Sequence, residues 1–247
     1  MPELNPKGYS KLLNSGGYEE LPIISEQYEV VDDTGIPVPL KFSHHERTES
    51  IEELPDGFII ISAVDFEDEE QAEKLFEEAK TRHLQSMELY DFIMESYDDM
   101  YEESVIGRVA FNILPGPISV KELTTVPRIC GAYLLEGYRQ LRISPLCYQI
   151  IGQHYGAVQS DQEQTVLGAK LWFASLPRFG TVKAVDIEIE KILEDVFHTC
   201  PPKEELWDGM VLIGTTEENE LRSLGQVPYS TTDSKRHVLF EFVPSDK

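Results

Sequence analysis

The run DGFIIISAV, residues 56–64, most constrains the fold, because a compact β-branched and aromatic stretch ended by an acidic segment reads as a core strand. The next stretch has a different period. In DFEDEEQAEKLFEEAKTRHLQSMELYDFIMESYDDMYEE, Ala72, Leu75, Phe76, Ala79 and His83 recur at three- and four-residue steps, and Met87, Tyr90, Ile93 or Met94, Tyr97 and Tyr101 continue the stripe. Its first turn is crowded with Asp and Glu, which the positive end of a helix favours. One long helix or two in succession is predicted.

Strand-like runs then alternate with helical ones. VIGRVAFNIL (105–114), VKELTTV (120–126), TVKAVDIEI (181–189), MVLIG (210–214) and HVLFEFVP (237–244) read as strands, and LCYQIIGQHYGAVQS (146–160) as strand-like or partly buried. ICGAYLLEGYRQL and TVLGAKLWFASL carry helical spacing. This alternation predicts an α/β (α+β) domain with a mixed central sheet flanked by helices. Residues 1–56 hold Gly16-Gly17, Gly35, Pro37, Pro39 and Pro55, which punctuate turns and edge strands. They read as an irregular N-terminal arm or layer on a domain spanning 57–247.

Charge narrows the partners. The 247 residues carry a net charge of −24, and its distribution is uneven: residues 1–100 hold 25 Asp and Glu against 7 Lys and Arg. No basic stripe suits a phosphate backbone, so direct nucleic-acid binding is not expected. An acidic chain meets nucleic-acid machinery by imitating DNA or by docking on a basic partner. The apolar runs are too short for a membrane span, and the N-terminus does not read as a secretory signal; a cytoplasmic setting is expected. Three cysteines, Cys130, Cys147 and Cys200, make neither a disulfide scaffold nor a zinc cluster. His44 and His45 have no second pair at ligand spacing, so KFSHHERTES reads as a solvated loop and no metal is expected.

The chemistry-bearing stretch is TTVPRICGAYLLEGYRQL. A small-residue turn between strand and helix exposes backbone N–H groups that hold anions. Arg128, Ile129, Cys130, Gly131 and Ala132 form the predicted turn, and a helix start there would lower the Cys130 pKa. Downstream, SDQEQTVLGAKLWFASLPRFG places Thr165, Gly168 or Ala169, Trp172 and Phe179-Gly180 along a helix leading to a strand.

Together these two segments, across roughly residues 105–190, resemble the GNAT superfamily of acyl-CoA N-acyltransferases. In that family a turn of the form Arg or Gln, two residues, Gly, one residue, Gly or Ala opens a helix and holds the pyrophosphate of acyl-CoA. Arg128 and Gly131 stand in register, with Tyr133 at the second small position. Trp172 stands where the family has a tyrosine that protonates the departing thiolate, a task an indole cannot perform. QSDQEQTVLGAKLWFASL also looks like GNAT-like proteins of tailed bacteriophages.

The resemblance implies acetyl-CoA as cofactor, seated on Arg128–Ala132, and acetyl transfer to an amine. The transfer needs a base. Glu122 is the lone carboxylate of VKELTTV; Ser160 and Asp161 lie in a strand-to-helix connection, where they either position an amine or cap the helix; His154 is the imidazole within the resembling segment. The alternative reading is a non-catalytic GNAT-like phage protein. It would act as a virion component or in the host cytoplasm, through oligomerisation or a partner bound by residues 66–103. A third is an acidic DNA mimic.

Overall fold

The computed structural model describes residues 18–33, 36–49, 51, 54–97, 100–162, 168, 171–196 and 237–245. The strands are β1 (Ile23–Asp33), β2 (Ile36–Glu46), β3 (Gly57–Phe66), β4 (Tyr101–Pro115), β5 (Thr125–Leu134), β6 (Val158–Gln159), β7 (Gly180–Asp186), β8 (Lys191–Val196) and β9 (Val238–Pro244). The α-helices are α1 (Glu69–Thr81), α2 (Ser86–Ser96) and α3 (Ile143–Tyr155). Hydrogen-bonded neighbours follow the order β1-β2-β3-β4-β5-β6-β9-β7-β8, so the fold is a mixed α/β one with a mostly antiparallel sheet. The chain divides into two compact units. Of the described residues, one takes Ala110–Ala132 and those from Ser144 on, and the other takes those from Tyr18 to Val109 with Tyr133–Ile143.

In the second of these, β3 is buried from Gly57 to Val64, as a strand covered on both faces must be. The section read as an irregular arm contains β1 and β2, paired antiparallel from Asp33↔Ile36 to Ile23↔His45. Pro37 and Pro39 lie where β2 has β1 as its paired neighbour, outside the β3 register that begins at Leu40, so their missing donors interrupt no β2–β3 pair. His44 and His45 are buried within β2, between two strands, not in a solvated loop.

The acidic stripe becomes two helices. Asp68 caps α1, its Oδ1 accepting from Gln71 N–H at 3.0 Å. The break falls at His83 (φ 61°) and Ser86 (φ 47°), both left-handed. This shift moves the buried stripe to Leu89 and Ile93, leaves Met87 exposed and puts Tyr101 in β4. Phe76, Ala79, Leu89 and Ile93 pack together with Val30, Phe66, Leu84 and Phe92.

In the other unit three local expectations are overturned. Strand β5 runs unbroken from Thr125 to Leu134, so no helix starts at residues 127–132. Residues 120–124 do not belong to the strand. Residues 146–155 are helical: Ile143, Cys147, Ile150 and Ile151 are buried at helical spacing. Gly156, at φ 86°, ends α3 by donating its N–H to Gly152 O at 2.8 Å, a conformation that suits glycine. The run 181–189 is strand only to Asp186. Trp172 lies in a single π-helical turn, Leu171–Ser175; residues 163–167, 169–170 and 210–214, including Thr165, lie outside the described residues, as does Cys200.

Candidate functional site

Strands β5 and β6 run parallel, joined through α3, and their register consists of one pair, Arg128↔Gln159. That pair begins a row across neighbouring strands. Gln159 is opposite Glu241 on β9, Glu241 opposite Lys183 on β7, and Lys183 opposite Asp195 on β8. Directly opposed residues share a face, so Arg128, Gln159, Glu241, Lys183 and Asp195 form one polar line on one side of the sheet.

The line is bonded at its buried end. Arg128 Nη2 donates to Gln159 Oε1 at 3.2 Å, and Gln159 Nε2 donates to Glu241 Oε2 at 3.0 Å and to Pro117 O at 2.7 Å. Ser119 N–H donates to Glu241 Oε1 at 2.8 Å. Gln159 and Glu241 are fully buried, so these bonds replace the hydration both side chains gave up. The connection after β4 is thereby drawn onto the row, and a Cβ at Gly116 would come within 3.3 Å of Arg128 Nη2. Burial lowers the Arg128 pKa from the ordinary arginine value, yet the guanidinium stays charged. Its Nε is buried and makes no hydrogen bond among the described residues.

The expected phosphate turn is not built at Arg128–Ala132. Along β5, Ile129 and Gly131 are buried while Arg128, Cys130 and Ala132 are more exposed, so the five residues alternate between two faces and do not converge on one anion. Cys130 is half-buried within the strand and away from any helix start. Glu122 sits in an exposed turn, because residues 120–124 leave the strand.

Ser160 is fully buried and stitches β6 to β9: its Oγ accepts from Phe240 N–H at 3.0 Å and donates to Asp161 O at 3.0 Å. The hydroxyl is therefore structural, and its capping partner at 163 lies outside the described residues. His154 is exposed in the last turn of α3, its ring edge-to-face on Tyr155 at 4.6 Å. Asp161 is half-buried and lies two residues beyond β6, past the carboxyl end of the parallel pair.

Trp172 is 2% exposed, edge-to-face with Tyr148 on α3 at 5.2 Å and stacked on Phe240 of β9 at 6.3 Å. It is core; Phe173 is half-buried. No group of His, Cys, Asp and Glu among the described residues is arranged to hold a metal ion, and no described helix is long and apolar enough to cross a membrane.

A helix start does follow β5, some ten residues downstream of the expected one. α3 begins at Ile143. Arg142 has φ 57° and ψ 29°, the left-handed conformation that glycine adopts without strain.

Sequence reasoning missed Gln159 and Glu241. Glu241 left a signal, as a lone carboxylate inside the apolar run VLFEFVP, where a buried charge requires partners. Compared with family models, curated proteins and solved structures, the chain matches none of them.

Proposed function

We propose that the chain is a GNAT-like, acyl-CoA-dependent N-acyltransferase whose pyrophosphate seat is the start of α3 at Ser144. The observation that carries this reading is the parallel β5–α3–β6 unit, whose two strands meet at one register pair and whose helix is entered through a left-handed residue. In open α/β sheets, ligands gather at the carboxyl ends of parallel strands. The first turn of a helix offers N–H groups to an anion, here those of Ser144 and Leu146, since Pro145 has none. Asp161, two residues beyond β6, takes the role of base toward the amine. Trp172 is packed in the core and transfers no proton.

The test is calorimetric titration with acetyl-CoA, followed by a turnover assay with an amine panel. Ser144→Asp adds a negative charge that the start of a helix favours, so the fold should persist while acetyl-CoA binding is lost. Asp161→Asn should keep binding and lose turnover. Absence of both heat and melting shift at millimolar acetyl-CoA would sink the reading.

A further inference from the structure

Strand β1 ends the order of hydrogen-bonded neighbours and has β2 as its paired neighbour among the described residues. Every second residue of such a strand directs its N–H and C=O away from the sheet, a row ready to pair with another chain. Natural edges are commonly blunted by shortness, proline, lysine or bulges. β1 is eleven residues long, IISEQYEVVDD, contains neither proline nor lysine, and has one register irregularity, at its Ile23/Ser25 end. Ile23 and Ile24 are 54% and 45% exposed.

The strand is also held rigid. Tyr28 packs on Tyr90 of α2 with ring centroids 4.6 Å apart, Ser86 Oγ at the start of α2 donates to Glu29 at 3.1 Å, and Val30 packs on the apolar cluster under the helices. A preformed strand costs little further ordering when another chain adds to it.

Charge selects the occupant. Among its described side chains β1 carries the carboxylates Glu26, Glu29 and Asp32 and no cation. On the neighbouring α1, Glu69, Glu70, Glu73, Glu77 and Glu78 are exposed, and its two lysines are already paired, Lys74 with Glu70 and Lys80 with Glu77 and Asp32. Lys41, opposite Tyr28, pairs with Glu103. A second copy of β1 would set carboxylates against carboxylates across the new ladder, which opposes self-pairing.

We infer that the outer edge of β1, which no other described strand pairs with, is a docking edge for an extended, lysine- or arginine-rich segment of a partner protein, which joins the sheet as an added strand. Main-chain hydrogen bonds supply the affinity and the carboxylates supply the choice of partner. The inference is independent of acyl transfer, because it uses no residue of the proposed acyl-CoA site.

The probes are two synthetic eleven-residue peptides, one alternating Val with Lys and one alternating Val with Glu, added to the full chain. Fluorescence anisotropy should give at least about tenfold tighter binding of the Lys peptide, weakening as salt rises. Amide exchange should slow within residues 23–33, and the triple variant Glu26→Lys, Glu29→Lys, Asp32→Lys should reverse the peptide preference. N-methylation of alternate peptide amides should abolish binding; binding that survives it rests on charge without strand addition and overturns the proposal. Lys-peptide binding without protection of 23–33, or no binding, also overturns it. A concentration-dependent dimer that protects 23–33 without peptide gives the edge to a second copy, the third overturning result. Should the triple variant misfold, the two peptides on the unaltered chain still decide.

Discussion

The amide of Gln159 donates to Glu241 Oε2 at 3.0 Å while its carbonyl accepts from Arg128, so a neutral side chain links a buried carboxylate to a guanidinium across three strands. Removing the link strands both charges. Gln159→Leu should destabilise the fold by about 3 kcal/mol, because an oxygen of a buried carboxylate loses its partner. Glu241→Gln, which keeps an acceptor for Ser119 N–H but sets its NH2 against the Gln159 Nε2 donor, should cost about 2 kcal/mol. Urea unfolding of both variants checks the order; equal losses would show that the row is packing alone.

Trp172 fills space between α3 and β9. Trp172→Ala should cost about 3–5 kcal/mol, and Trp172→Phe clearly less, because the cavity left by the second is smaller. Chemical denaturation with matched slopes measures both.

Gly180 opens β7 against the end of β9, and a Cβ there would fall 2.8 Å from Pro244 Cα and 2.7 Å from Phe242 Cε2. Backbone cannot swing aside as a flexible side chain can. Gly180→Ala should therefore destabilise by about 2 kcal/mol, whereas Gly137→Ala, which meets nothing within 4 Å, should not. A lowered midpoint for the first variant alone is the expected result.

Two tyrosines set an alkaline limit. Burial first, and then the hydrogen bond to Asp65, push the Tyr138 hydroxyl from 10.0 up to about 12, and burial followed by Glu103 does the same for Tyr90. The folded chain holds these protons more tightly than the unfolded one. Their contribution to stability is thus complete below the unfolded value and is lost as pH rises through about 12. The double variant Tyr90→Phe, Tyr138→Phe should lose stability less steeply across that window, measured by unfolding at stepped pH.

The Cys147 thiol is fully buried and burial raises its pKa. It should resist alkylation in the folded chain and label fully in denaturant. Mass spectrometry of the labelled peptide checks this, and rapid labelling without denaturant would contradict the packing of α3.

The sequence by itself determined the elements whose apolar period is local. The continuous apolar run of β3 and the three- and four-residue stripe of α1 bury their faces wherever they lie, because period alone creates those faces. It also determined the acidity of the first hundred residues. Residues 125–134 and 146–155 were harder, since short apolar runs carry both periods at once; there the pairing of β5 and the packing of Ile143, Cys147 and Ile151 chose strand for one and helix for the other. The single parallel pair, the left-handed Arg142 ahead of α3 and the polar row were decided by tertiary structure alone. Arg128, Gln159 and Glu241 are separated by 31 and 82 residues, and no local rule brings them together. Strand order sets which side chains become neighbours, and burial then obliges the polar ones to bond to each other.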